Sequence, residues 1–317
     1  MVWSLIASFQ GFAVLPYPAI NSREENVNDK LFVSGLGDAG NFSVLYTKEL
    51  YEERWDTLSQ TQFWRKVMRL SPDSGFLNVA ASRTIAAKIC TKDWLRMKES
   101  DKNHLMDSIH NQLCLGEEDY FLFTVGKSDF YKISSVLSSI DKAVKIFEQE
   151  ETDPFYAQTI LLIESPGRMQ KSTVGAFGSF QLMRAVAIRM GLKVNKHVDE
   201  RRDFDKSAWA AAKLLRTICI PETKAILERH GIAYHEKDLW FRLLVLHVYH
   251  AGAGNVAPIV EKICPSAGNR ELIRQVWQTS HGAFRNSSQN YSQLALASLL
   301  ELDALILNQC GDVKNCK

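Results

Sequence analysis

The segment between Asp153-Pro154 and Ser165-Pro166-Gly167 constrains this chain more than any other. It reads Phe-Tyr-Ala-Gln-Thr-Ile-Leu-Leu-Ile from 155 to 163 and ends on a carboxylate, Glu164. The apolar signal is helical, and the run is apolar enough to be buried. The spacing therefore predicts a buried helix that carries Glu164 out at its C-terminal end.

The same period recurs along the chain. Leu50, Trp55, Leu58, Phe63, Val67 and Leu70 repeat at about three-to-four spacing, and Ser71-Pro72-Asp73 ends the run. Helical stretches are expected over about 76–97, 101–114 and 130–150, where Ile133, Val136 and Ile140 keep the period. Tyr120 to Val125 reads as a short strand or as the start of the next helix. Residues 206–218 are rich in helix formers, with Asp205 or Ser207 near the N-cap, and 238–250 and 288–308 give two more helices. Residues 20–45, rich in Asn, Gly and Ser, read as loop or linker. The fold class that follows is all-α. Four parts are expected: an N-terminal segment and linker (1–45), a helical region of open role (46–135), a domain carrying the chemistry (136–308) and a tail (309–317).

Bulk properties remove several classes of function. The chain has 317 residues, 46% hydrophobic and 23% charged, which is ordinary for a globular protein and argues against disorder. With 38 basic and 36 acidic residues and no basic run, it carries no footprint for nucleic acid. A local groove can still bind an anionic polymer. Met1 to Pro16 is uncharged and mostly apolar, like the core of a secretory signal, but lacks the basic start. A buried N-terminal segment and an already mature chain are the competing readings. No other stretch approaches the ~20 apolar residues of a membrane span. The six cysteines contain no C-x-x-C pair. Cys310 and Cys316 either close a small loop in an oxidising compartment or, like the rest, are free thiols.

A carboxylate leaving an apolar helix for a turn is placed where desolvation raises its pKa, as a general acid requires. Alone, Glu164 is weak support for catalysis. Two further elements follow in order. Gly175-Ala-Phe-Gly178-Ser-Phe-Gln181-Leu-Met183 has two glycines that permit close backbone approach, an amide suited to sugar hydroxyl or N-acetyl groups, and apolar walls in Phe180 and Met183. Tyr249-His250-Ala251-Gly252-Ala253-Gly254 closes the helix that begins near Asp238, with a phenol for hydrogen bonding and glycines for backbone access.

Taken together, Glu164-Ser165, the Gly-Ala-Phe-Gly-Ser-Phe-Gln-Leu-Met stretch and Tyr-His-Ala-Gly-Ala-Gly resemble the three-part signature of the soluble lytic transglycosylase family. Gly191 to Asn195, Val198 to Asp203, Lys206-Ser207 and the Asn290-Tyr291 pair before an apolar helix are similar to its membrane-bound D-type branch. The resemblance covers roughly 140–305. Where the family usually has Asn, this chain has His250; where it has proline, Arg184; and the Glu-to-Gly spacing is one residue shorter.

The resemblance implies a lysozyme-like catalytic domain preceded by a mainly helical N-terminal region. It implies a peptidoglycan lytic transglycosylase, acting on the glycan strands of the cell envelope in a periplasmic, secreted or membrane-associated setting. No cofactor or metal is implied. Glu164 would be the single acid/base, forming 1,6-anhydromuramic ends. Ser165, Gly178, Gln181, Met183, Tyr249, His250, Ala251, Gly252 and Tyr291 would line the substrate site. The alternatives are a lysozyme-type hydrolase on the same scaffold and a catalytically silent glycan-binding protein.

Other constellations are weaker. His247 and His250 share a helix face, but no third metal ligand accompanies them. Asp199, Glu200 and Asp203 offer a second carboxylate, yet interleaved with Arg201 and Arg202 they read as ion-paired structure. Trp209, Trp240 and Phe241 read as core. Trp277 and Phe284, in a more polar stretch, read as the better sugar platforms.

Overall fold

In the computed structural model, which describes residues 29–33, 42–164, 172 and 175–310, the predicted apolar run is a helix around which the C-terminal half packs. The expectations for residues 1–19 and for a Cys310–Cys316 bridge lie outside the described residues and side chains. Two short strands come first, β1 (Asp29–Val33) and β2 (Phe42–Tyr46), paired antiparallel with Val33 opposite Phe42. The loop expected over 20–45 therefore contains a strand pair. The amide of Gln158 exchanges two 2.8 Å hydrogen bonds with the Leu45 backbone, which ties β2 to the central helix.

Next come α1 (Glu49–Glu52) and α2 (Ser59–Arg69). Helices expected over 76–90 are instead strands. β3 (Ser74–Val79) and β4 (Ile85–Cys90) pair antiparallel around a tight turn, α3 (Thr91–Arg96) and α4 (Glu99–Gln112) follow, and β5 (Phe121–Val125) returns beside β3. The strand reading of 120–125 holds. Phe76 of β3 faces Phe63 of α2, while on the other face Phe123 stacks on Trp94 of α3 at 4.7 Å. A sheet covered on both sides shows no simple alternation of apolar and polar residues, which is why its period escaped the sequence reading. The mainly helical fold class stands, since these sheets are small.

The rest is helical: α5 (Leu137–Gln149), α6 (Pro154–Glu164), α7 (Arg184–Met190), α8 (Phe204–Leu214), α9 (Ile220–Arg229), α10 (Leu239–Ala251), α11 (Ala253–Ile263), α12 (Arg270–Gln278) and α13 (Ser287–Cys310). Every residue of α6 from Phe155 to Ile163 is buried, and so is α10 from Leu239 to Val248. A helix apolar all round needs neighbours on every side. α5, α10 and α13 pack against one another or against α6 to supply them. Leu50 and Trp55 join the same core, while Phe63, Trp64, Val67 and Met68 of α2 form a second, smaller one with Ala297 of α13.

A buried ion pair fixes the start of α6. Asp153 accepts the Phe155 amide at 3.0 Å and pairs with the fully buried Arg242 of α10 at 2.8 Å and with Lys237 at 3.1 Å. Burial pushes the Asp153 carboxyl up, but the two cations outweigh it and hold it below its ordinary value. With one end anchored, the helix places Glu164 at the other, about 1.5 Å of rise per residue away.

Candidate active site

Glu164 is the last residue of α6 and is half-buried. Burial pushes its carboxyl up to about 7, with the Tyr291 hydroxyl opposing the rise. Its place at a helix C-terminus, where backbone carbonyls point outward, disfavours the anion in the same direction. A carboxyl of this kind is substantially protonated at neutrality yet able to ionise, as a group that first donates and then accepts a proton requires. Among the described residues, no cation or second carboxylate contributes to the shift.

Three phenols feel the charge of the carboxyl. Tyr131, Tyr249 and Tyr291 come from three separate parts of the chain. Burial first, and then the charge of Glu164, raises each hydroxyl above its ordinary pKa, so all three stay protonated donors. Tyr291 is buried in α13 and its hydroxyl satisfies no strict hydrogen-bond geometry. Its contact with Glu164 is thus a loose one. Tyr249, half-buried near the end of α10, donates its hydroxyl to the Phe180 carbonyl at 2.7 Å. Its proton is committed to the neighbouring loop.

That loop is built by unusual backbone. Gly175, Gly178 and Gln181 have φ of +90°, +83° and +46°, and Phe177 bridges Leu182. Gly178 has no substitute: a Cβ there would lie 2.1 Å from the Arg201 carbonyl oxygen. Arg201, itself buried, donates to the carbonyls of Gly175 (3.0 Å) and Leu182 (2.9 Å) and pairs with Asp199 at 2.7 Å. The Gln181 amide turns back to the Gly178 carbonyl at 3.0 Å. Phe180, expected as a cleft wall, is wholly buried and stacks on Phe147, because the turn drives it into the core. Met183 is 42% exposed at the start of α7 and remains free to contact a ligand. Arg184, in the position of the family's proline, binds the Val194 carbonyl at 3.0 Å.

The third motif forms the corner between α10 and α11. His250 is solvent-accessible and lies flat on Tyr291, ring centroids 4.3 Å apart and 21° from parallel. Desolvation lowers its imidazole below the ordinary value, to about 4. Ala251 ends α10 and its carbonyl accepts the Asn255 amide at 2.7 Å. Gly252 turns the chain with φ +81° and exposes its backbone. Ser165 lies outside the described residues.

The constellations set aside in the sequence resolve cleanly. His247 is buried, its Nε2 2.7 Å from the Ser292 hydroxyl, while His250 stacks elsewhere. Glu200 pairs with Lys206 at 2.6 Å, and Asp203 caps α8 through the Lys206 amide, so this acidic group is structural as read. Trp277 and Phe284 are buried rather than exposed as sugar platforms: Trp277 donates to Ser292 at 2.7 Å and Phe284 packs on His247. The residue that left no mark in the sequence is Tyr131, which lies in the N-terminal part, outside all three motifs.

Residues 143–262 match the family model of the transglycosylase SLT domain. The match takes in Glu164, the Gly175–Leu182 loop and the α10–α11 corner, and leaves Tyr131 and Tyr291 outside it. No curated protein matches the sequence.

Proposed function

From the premise that residues 143–262 form a lytic transglycosylase-type domain, we propose that the protein cleaves the β-1,4 bond between N-acetylmuramic acid and N-acetylglucosamine, with Glu164 as its single acid/base. The observation that carries this reading is the Glu164 carboxyl itself. It is held near neutrality by burial at a helix end, amid neutral phenols. The acid form donates its proton to the glycosidic oxygen as the C1–O bond breaks. The resulting carboxylate then takes the proton of the muramyl 6-hydroxyl as that oxygen attacks C1, closing a 1,6-anhydro ring. An internal nucleophile carries a high effective concentration, so a second enzymic carboxylate is not needed. Ordinary glycosidases use two.

Tyr291 has the right character to hold the carboxylate between the two steps, since its contact favours the ionised form. Tyr249 and Arg201 act on the loop rather than on the reaction, fixing the backbone of Gly178 and Gln181 where a sugar would lie. Gly252 and Met183 offer accessible backbone and side-chain surface to the strand. Placement in the D-type branch rests on the 191–195, 198–203 and 206–207 stretches and on the Asn290-Tyr291 pair. A periplasmic or secreted setting follows from the substrate, and no described helix is long and apolar enough to cross a membrane. Digestion of purified peptidoglycan tests the reading. 1,6-Anhydromuramic products lost in Glu164→Gln support it, reducing ends indicate a hydrolase, and no cleavage by the wild type indicates a glycan-binding protein.

A further inference from the structure

Arg83 is a buried cation that the chemistry above does not use. It sits in the tight turn between β3 and β4 and is 5% exposed. Its backbone is left-handed, φ +59°, a conformation costly for a residue with a long side chain and ordinarily given to Gly, Asn or Asp. That strain directs the guanidinium inward. There it donates to Asn78 Oδ1 at 3.0 Å and to Asn290 Oδ1 at 2.6 Å, over the rings of Phe63 and Trp64. No carboxylate among the described residues pairs with it, and its Nε finds no partner. A buried charge satisfied by two neutral amides is an expensive way to hold a fold together.

What it holds is informative. Asn78 is tied to β5 through the Leu122 carbonyl (2.7 Å) and Thr124 (3.0 Å), and β5 leads directly to Tyr131. Asn290 is the residue before Tyr291 on α13. Along α13 the same module adds Trp64 to Gln293 at 3.0 Å and Arg65 and Arg69 to Glu301 at 2.7 Å each. The Tyr291 hydroxyl has no firm hydrogen bond of its own. Its place beside Glu164 is therefore inherited from the seating of α13 and from the His250 ring stacked on it.

We propose that Arg83 is a positioning residue for the reaction: by gripping Asn290 it seats the start of α13, and so Tyr291, against Glu164, making residues 59–131 part of the catalytic apparatus. This rests on Glu164 being the acid/base. The test is a double-mutant cycle with turnover of soluble glycan fragments followed across pH. Arg83→Met keeps the length and removes both hydrogen bonds. It is expected to lower kcat roughly ten- to a hundred-fold with little change in KM, as misplacement by about an ångström does. Because the Tyr291 contact favours ionised Glu164, loosening it moves the basic limb of kcat to higher pH. Tyr291→Phe is expected to move the limb the same way, and the double variant no further. Arg83→Lys, which keeps charge and one donor, recovers part of the loss.

Asn290→Ala breaks the same link from the α13 side and carries the test if Arg83→Met does not fold, as judged by thermal unfolding. A limb unmoved in the folded variants, or additive losses with Tyr291→Phe, overturns the positioning role. Full activity in Glu164→Gln would instead overturn the assignment of the acid/base, so the two failures are distinct.

Discussion

Removing the Arg242 guanidinium leaves a measurable debt in the helix that carries Glu164. Arg242→Met keeps the volume but strips Asp153 of its closest cation, 2.8 Å away in a fully buried setting. Breaking a buried pair from one side costs about 3–5 kcal/mol. Asp153 keeps Lys237 at 3.1 Å and the Phe155 amide at 3.0 Å, so the lower end, roughly 3 kcal/mol, is expected. For a chain of this size that is about 4–6 °C in Tm by scanning calorimetry at pH 6. The pH dependence gives a second handle. The folded-state pKa of Asp153 is depressed, so its stabilisation is present above the unfolded value and lost as pH falls through the folded one. The gap between wild type and variant is therefore expected to narrow below about pH 4. A drop smaller than about 2 °C at pH 6, or a gap indifferent to pH, would refute the claim that this pair anchors α6.

Two other outcomes follow from the site. Gly178→Ala places a methyl 2.1 Å from the Arg201 carbonyl on a left-handed backbone, so activity is expected to fall at least tenfold while far-ultraviolet circular dichroism stays helical. Glu164→Gln is expected to be more stable than the wild type at pH 8, by something of the order of 2 kcal/mol in denaturant unfolding. The sign follows from a folded pKa raised to about 7: the carboxyl's contribution is full below its ordinary value and is lost as pH rises through 7. Equal stability at pH 8 and a larger gap at pH 5 would contradict it.

The central helices were legible because their burial is complete. An apolar run such as 155–163 admits few structures, and Glu164 at its end was readable from chemistry alone. The strands of the N-terminal module were not. Phe76-Leu-Asn-Val and Ile85-Ala-Ala-Lys mix helix formers with apolar residues, and the sheet is covered on both faces, which erases the alternation. Trp277 was misplaced by the polar residues around it, although Leu272, Ile273 and Val276 share its helical face and marked it as core. Tyr131 and Arg83 left no local signal at all. Tyr131 is coupled to the Glu164 charge across a distance in sequence that only the tertiary fold closes, and Arg83 occupies a turn position that composition assigns to small polar residues.

The claim that Glu164 is the acid/base of a glycan-cleaving transglycosylase meets its most direct test in one digestion. Purified peptidoglycan is treated with wild type and with Glu164→Gln, and the soluble products are weighed by mass spectrometry. The account predicts muropeptides 18 Da lighter than hydrolysis products, about the mass of one water withheld by anhydro-ring closure, from the wild type and none from the variant. Anhydro products persisting in the variant, or reducing ends from the wild type, would contradict it.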